Sequence, residues 1–269
     1  MGHLVAAGIP ARIGCLIARV QETIEKRAIM TALMVNDPVI AGKLIAERKA
    51  LQTDRFDEIW EGVYMMSAMA NNEHQRLATE LSIAIGTAVD WRGLGNTFTG
   101  ANVSNQRSEW AKNYRIPDVL VFAHDTSAED CDTHWFGGPE FAIEVVSPGD
   151  RTLEKLGFYA DVGTRELLVI DRDPWRLTLY RVDDQTMPGQ PKKLRPAAID
   201  TAIDAKTPSA RITLQTFPLS FLLSMSQSAI EVSHASGELI RSIPIQVRPG
   251  SNGPSSNGPS SDDLGEMEI

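Results

Sequence analysis

Residues 141–146 have the sequence Phe-Ala-Ile-Glu-Val-Val, and this stretch decides the fold class. Every position except Glu144 is apolar, so neither face of a strand formed here suits water. Strands of this kind lie inside a sheet that is covered on both faces by helices. Residues 116–122 have a similar sequence, Ile-Pro-Asp-Val-Leu-Val-Phe, in which Asp118 is the charged position. The two stretches predict buried strands of an α/β fold whose carboxylates meet at one edge of the sheet.

Two buried carboxylates need a compensating charge. An ionised carboxylate loses its hydration inside a strand, which is costly unless the group is paired. A divalent cation is the partner that two converging carboxylates favour. The sequence therefore predicts a Mg²⁺ or Mn²⁺ site with Asp118 and Glu144 as ligands. Because residues two apart on a strand share a face, the main-chain carbonyl of Val146 is the expected third oxygen ligand.

A lysine follows these acids on the next predicted helix. Lys155 lies one turn before Tyr159, on a face away from the apolar stripe of Leu153 and Leu156. An amine there could orient or deprotonate the attacking water, or stabilise negative charge on a phosphate. Two acids and a lysine on a strand, strand and helix predict metal-assisted hydrolysis of phosphodiester bonds.

Each of these three residues also has a simpler interpretation. Asp118 could serve only the turn that follows Pro117. Glu144 could form a structural salt bridge with Arg115 or Arg165. Lys155, taken alone, has the character of a solvated surface lysine. Only the combination favours a catalytic site.

Other candidates for the site carry weaker signals. Glu61 follows Trp60 at the expected start of a strand and is a candidate outer ligand, although a solvated side chain is the alternative. His74, in the first turn of its helix, is a candidate for substrate contact, with a surface histidine as the alternative. Tyr159 completes the accessory set because it shares a helix face with Lys155.

The pattern around the two central stretches predicts the rest of the domain. Asn72 and Gln75 are spaced as a capping box at the start of a long amphipathic helix. The other predicted elements are a helix at 39–49 and strands at 60–66, 97–103 and 167–170, followed by a last strand that contains Leu177 and Leu179.

Composition limits the classes of function. The 269-residue chain has 26 basic and 35 acidic residues and a formal charge of −9. A protein that binds long nucleic acid non-specifically has an excess of positive charge, which this chain lacks. The acidic composition is still compatible with an enzyme that binds phosphate through a metal. Cys15 and Cys131 are the only cysteines, so a reducing, cytoplasmic location is expected. The sequence contains no run of ~20 apolar residues, so no membrane span is predicted.

The two ends of the chain differ from its middle. Residues 1–29 have no acid before Glu22 and are expected to be a leader outside the fold. Residues 30–223 are expected to form the nuclease-like domain and to fold alone. Residues 224–269 are expected to be a disordered acidic tail, because Asn-Gly-Pro-Ser-Ser at 252–256 is repeated at 257–261.

Several short motifs occur in an order that is typical of one family. They are WEGVYMMS at 60–67, EHQ at 73–75, IPDV at 116–119, EVVSP at 144–148, Lys155 with Tyr159, and Gly163 followed by Glu166 and Ile170-Asp171. On these residues, which span about 57–181, the sequence resembles the Uma-two (Uma2) group of putative restriction endonucleases in the PD-(D/E)XK nuclease superfamily.

The resemblance implies a restriction-endonuclease-like mixed sheet flanked by helices, with Asp118 and Glu144 as metal ligands. The superfamily pattern places a lysine two residues after the second acid, where this chain has Val146. In the resembling group the lysine comes from the next helix, which matches Lys155. The resemblance also implies DNA as the substrate, and a homodimer is expected by analogy with enzymes that cut both strands.

The leading hypothesis is therefore a Mg²⁺- or Mn²⁺-dependent endonuclease. Two alternatives remain open at this point. One is a non-catalytic interaction module on the same fold, which the acidic composition favours. The other is a metal-dependent hydrolase of another phosphate ester. Metal binding without nucleic-acid cleavage would favour the hydrolase, and the absence of both would favour the module.

Overall fold

The computed structural model describes residues 33–67, 70–147, 150–182, 192–196, 202–203, 211–224 and 226–246. The predicted leader at 1–29 lies outside these ranges, as do residues 247–269 of the predicted tail. None of the helices in these ranges is long and apolar enough to cross a membrane.

Three α-helices and two 3₁₀ turns lie in the described residues. The helices are α1 (Pro38–Ala50), α2 (Asn72–Ala88) and α3 (Leu156–Asp161), and the 3₁₀ turns are Trp110–Lys112 and Thr152–Lys155. The N-cap of α2 is Asn71 rather than Asn72, since the Asn71 side chain accepts a hydrogen bond from the amide of His74. The third residue of the helix is then His74 rather than Gln75, so the predicted capping box between Asn72 and Gln75 is wrong.

The strands are numbered in chain order. They are β1 (Leu33–Val35), β2 (Glu58–Trp60), β3 (Val63–Met66), β4 (Gly95–Phe98), β5 (Val103–Ser104), β6 (Tyr114–Arg115), β7 (Val119–Ala123), β8 (Glu129–Asp130), β9 (Trp135–Phe136), β10 (Phe141–Val145), β11 (Glu166–Arg172), β12 (Trp175–Val182), β13 (Leu194–Pro196), β14 (Ala202–Ile203), β15 (Ile212–Thr213), β16 (Leu219–Ser224), β17 (Ala229–His234) and β18 (Leu239–Pro244).

The central sheet is mixed, as predicted. Its strand order is β13-β12-β11-β10-β7-β4, with β14 beside β12. Strand β10 runs parallel to β11 and antiparallel to β7. It therefore lies inside the sheet, as its unbroken apolar sequence requires. The predicted fold class, a mixed sheet flanked by helices, is confirmed.

Alternation along β10 sends its side chains into two separate cores. Phe141, Ile143 and Val145 belong to a core that includes residues of α2 and of strands β15 to β18. Ala142 belongs to the opposite core, which includes residues of α3. Glu144 shares the parity of Ala142, so its carboxylate points to the α3 side of the sheet.

Two further sheets border the central one in the described part of the chain. One has the order β1-β3-β2-β6-β5-β9-β8 and carries Glu58 and Trp60 on β2. The other is antiparallel, with the order β15-β16-β17-β18, and packs its apolar side chains into the core beneath α2. The sheet that carries Glu58 borders the candidate site, and the antiparallel sheet packs against α2.

The predicted domain boundary at residue 223 is wrong. Residues 226–246 contain β17 and β18, and Ile230, Val232 and Ile243 on these strands are fully buried. An ion pair between Arg241 and Glu80 ties β18 to α2. The prediction failed because polar residues interrupt the apolar ones on β17 and β18. A strand with one polar face has a low average hydrophobicity, so composition alone does not identify it.

Candidate active site

Glu144 lies on β10, and Asp118 lies immediately before β7, the neighbouring strand. The register pairs Phe141 with Val121, and Ile143 with Val119. Continued by one residue, it brings Asp118 next to Glu144, on the same face of the sheet. Asp118 Oδ2 accepts a hydrogen bond of 2.7 Å from the amide of Val145. The two acids therefore converge as the sequence predicted. Asp118 follows Pro117, but it also accepts a hydrogen bond from β10, so it does not serve only the turn after the proline.

Glu144 is buried, with 4% of its surface exposed. Its Oε1 accepts a hydrogen bond of 3.0 Å from Lys155 Nζ and another from the hydroxyl of Tyr159. The salt bridge considered for Glu144 is therefore real, but its partner is Lys155 rather than Arg115 or Arg165. Tyr159, a predicted accessory residue, contacts the site by holding this carboxylate.

Lys155 is a buried residue and not a solvated one. Only 8% of its surface is exposed, whereas Leu153 is 60% exposed. Leu153 was expected to lie on the buried face of this segment, and this prediction is wrong. The buried face carries Lys155, Phe158 and Tyr159 instead. The tighter 3₁₀ geometry of residues 152–155 changes which positions share a face. An ideal α-helical spacing could not predict this rotation.

Glu58 is a third acid of the site, and sequence reasoning missed it. It is 4% exposed on β2, and its Oε1 accepts hydrogen bonds from Lys155 Nζ at 3.0 Å and from the amide of Ile116 at 2.8 Å. Its Oε2 accepts one of 2.6 Å from Trp60 Nε1. The sequence already indicated a strand in this region, but the predicted strand began at Trp60. If the strand had been extended by two residues toward the N-terminus, Glu58 would have been placed on the same face as Trp60.

Two carboxylates, those of Glu144 and Glu58, therefore contact the ammonium group of Lys155, and Asp118 lies beside Glu144. Burial raises the pKa of Glu144 to about 8, and the nearby acids add to the effect of burial while Lys155 opposes it. Burial alone would lower the pKa of Lys155, but Glu144 and Glu58 outweigh it, so the net pKa lies above its ordinary value. Lys155 is thus a cation here, and the cluster still has excess negative charge. A divalent cation would offset that excess, which is how the donor set fits a metal.

His74 completes the cluster from α2. Its Nε2 lies 2.8 Å from Asp118 Oδ1, and its Nδ1 lies 3.3 Å from the Ser147 hydroxyl. The ring is nearly buried, with 8% exposure. His74 therefore contacts a site carboxylate directly, which excludes the alternative of a solvated surface histidine. Between them, His74 and the Val145 amide engage both oxygens of Asp118.

The main-chain carbonyl of Val146 faces away from the two acids. It accepts a hydrogen bond of 3.0 Å from Arg172 Nε, and the Val146 amide donates to Ile170 of β11 at 2.9 Å. The amide and carbonyl of one strand residue point to the same side. Because the amide of Val145 donates to Asp118, the Val145 carbonyl lies on the Asp118 side. This orientation does not support the predicted role of Val146 as third ligand.

Glu61 lies outside the cluster. It is exposed in the turn between β2 and β3 and has a φ of 50°. Its amide donates to Asn113 Oδ1 at 2.9 Å. The predicted outer-ligand role of Glu61 is not supported by this position, and Glu58 is the acid that this segment supplies instead.

The cluster lies in a cleft of about 550 Å³. One wall is formed by α2, through His74, Gln75 and Thr79, and the opposite wall by residues of the β2 and β3 region. All three acids and Lys155 line this cleft, together with Val145. Within the described residues, no three His, Cys, Asp or Glu side chains are arranged together as a metal-binding group. A metal here would therefore need a main-chain or substrate oxygen besides Asp118 and Glu144.

The chain matches the model of one protein family and is similar to a solved nuclease structure. The model of the family Uma2, putative restriction endonuclease, matches residues 47–201, which is more than half of the chain. No curated protein matches the sequence. Among solved structures, a putative nuclease belonging to DUF820 from Anabaena variabilis is similar, with 18% identity and a TM-score of 0.40. The match covers 52% of this chain and 76% of that one.

Proposed function

This chain belongs to the Uma2 family of putative restriction endonucleases, and from that premise we propose that it is a metal-dependent nuclease that hydrolyses phosphodiester bonds in DNA. One observation carries the proposal. Asp118, just before β7, and Glu144, on the adjacent β10, line one cleft, and Lys155 Nζ lies 3.0 Å from Glu144. Hard oxygen donors beside a fixed cation are the groups that hydrolysis of a charged ester needs.

The proposed metal is Mg²⁺ or Mn²⁺, held by Asp118, Glu144 and the main-chain carbonyl of Val145. These are hard oxygen donors of the kind that both ions prefer. When bound, such an ion would neutralise the charge that develops on the phosphoryl group and would favour ionisation of the attacking water.

The side chains around the acids have separate roles in the proposal. Lys155, kept protonated by Glu144 and Glu58, donates a hydrogen bond to a phosphate oxygen and stabilises its charge. Of the two roles expected for the amine, a raised pKa favours charge stabilisation over deprotonation of water. His74 orients Asp118, and Tyr159 orients Glu144.

Manganese titration by calorimetry tests the metal site. Wild-type protein is expected to bind Mn²⁺, whereas Asp118→Asn and Glu144→Gln should lose measurable binding because each removes an anionic ligand. Glu61→Gln is the matched control, since it removes a carboxylate outside the cleft and should bind like wild type. Affinity should rise between pH 6 and 8, because the ion must displace the proton that the raised pKa of Glu144 retains.

Two results of this titration would count against the metal site. Equal affinity in wild type and both cleft variants would show that the ion binds elsewhere. A loss of binding in Glu61→Gln as large as in Glu144→Gln would show that the difference reflects total charge. Circular dichroism of each variant verifies that the fold is intact before the affinities are compared.

A second candidate function is hydrolysis of another phosphate ester. The size of the cleft favours it, because about 550 Å³ is within the range of small-molecule sites. Metal binding together with turnover of a small phosphodiester, but not of any oligonucleotide, would select this alternative.

A further inference from the structure

We propose that the cleft takes a single-stranded, unstacked segment of nucleic acid rather than an intact duplex. The inference deepens the proposed function and rests on it, because the same cleft supplies the chemistry. It names the substrate class through three features of the described residues: the depth of the polar cluster, the aromatic wall beside it, and the scarcity of positive charge.

The reacting groups lie below the surface of the protein. Glu58 and Glu144 are each 4% exposed and Lys155 is 8% exposed. A phosphate must approach within hydrogen-bond distance of Lys155 Nζ if that group is to stabilise its charge. The phosphates of a duplex lie on a broad and stiff helix, whereas a separated strand is slim and flexible enough to enter a narrow cleft.

One wall of the cleft is aromatic. Phe56 and Trp60 line it and are partly exposed. The guanidinium of Arg55 lies 5.3 Å from the centre of the Phe56 ring, and that of Arg115 lies 4.6 Å from the centre of the Trp60 ring. Aromatic rings next to guanidinium groups are the platform on which unpaired bases stack. Paired bases inside a duplex offer no free face to such a wall.

The charge of the chain also disfavours a duplex. With a formal charge of −9, the chain has no overall excess of the positive charge that gives duplex binding its affinity. The cleft is lined by three cations, Arg55, Arg151 and Lys155, against four carboxylates, together with neutral polar side chains of α2. In single-strand sites base stacking adds to phosphate contacts, so an aromatic wall can supply part of the affinity where positive charge is scarce.

Fluorescence anisotropy with labelled oligonucleotides tests the inference without requiring cleavage. The full chain carrying Glu144→Gln is titrated with a single-stranded DNA, the matching single-stranded RNA, and the DNA duplex. At least one single strand is expected to bind about tenfold or more tightly than the duplex. The RNA arm shows whether the sugar matters, and either preference among the single strands supports the inference.

Phe56 is the residue whose replacement isolates stacking. Phe56→Ala should weaken single-strand binding by about fivefold or more, and Phe56→Leu should do so as well because it keeps apolar bulk but has no ring. Trp91→Ala is the control, since Trp91 is an exposed aromatic residue outside the cleft. It should bind like the parent protein.

The outcomes separate this inference from the proposed function. Duplex binding as tight as single-strand binding would overturn the inference, as would unchanged binding in both Phe56 variants. Selective single-strand binding by a protein that cuts no nucleic acid would sustain the inference and overturn only the nuclease assignment. Melting curves for the Phe56 variants verify that a loss of binding is not a loss of fold.

Discussion

Replacing Lys155 with alanine is expected to lower the rate of cleavage by ~100-fold or more while Mn²⁺ binding persists. The ammonium lies 3.0 Å from both Glu144 and Glu58, so it is fixed where charge on a phosphate would develop. Its removal also leaves the carboxylates without their cation, which should maintain or strengthen metal affinity. Single-turnover cleavage and calorimetry on the same preparations measure the two effects separately.

Three substitutions at Lys155 distinguish its roles. Alanine and glutamine both remove the charge, but Lys155→Gln keeps a hydrogen-bond donor for the acids and is the variant to use if alanine unfolds. Lys155→Arg keeps a permanent charge that cannot act as a base. Activity in Lys155→Arg alone would support charge stabilisation. Cleavage near the wild-type rate by a folded Lys155→Ala protein would show that this buried lysine serves only the structure.

A chain that spans residues 30–223 is expected not to fold, whereas residues 30–246 should melt as cooperatively as the full chain. The shorter chain lacks β17 and β18, and with them the fully buried Ile230, Val232 and Ile243. Each such side chain contributes roughly 1.5–3 kcal/mol on burial, against a total stability of about 5–15 kcal/mol for a typical protein. The shorter chain also exposes apolar residues of β16 and α2.

Differential scanning calorimetry and solubility of the two chains measure this effect. The control is the longer chain, because both begin at the same residue and differ only in residues 224–246. A cooperative transition in the shorter chain near the temperature of the longer one would contradict the expectation. It would show that β17 and β18 are an appendage rather than part of the core.

The sequence predicted what depends on local pattern. The unbroken apolar run around Glu144 correctly indicated an interior strand, and the proline-led run around Asp118 indicated its neighbour. The cost of burying two acids in such strands made them candidates for one site before any pairing was known. The antiparallel register that brings them together follows from long-range strand pairing, which one sequence does not specify.

The failures have a common physical origin. Glu58, the buried face of Lys155, and strands β17 and β18 are all polar or mixed in sequence, and become buried through contacts with distant segments. Lys155 is buried because Glu58 and Glu144 compensate its charge, and Glu58 lies 97 positions earlier in the chain. Local propensity treats a lysine as solvated. Only the assembled cluster reverses that expectation.

The most direct test of the proposed nuclease is cleavage by the full chain with Mg²⁺, with Mn²⁺ and with a chelator. Labelled single-stranded and duplex DNA and RNA serve as substrates, and Glu144→Gln protein purified in parallel controls for contaminating nucleases. Metal-dependent cleavage by the wild type, abolished by chelator and absent from Glu144→Gln, is the predicted result. Equal cleavage by the two proteins, or no cleavage of any substrate by a wild-type protein that binds Mn²⁺, would contradict the assignment.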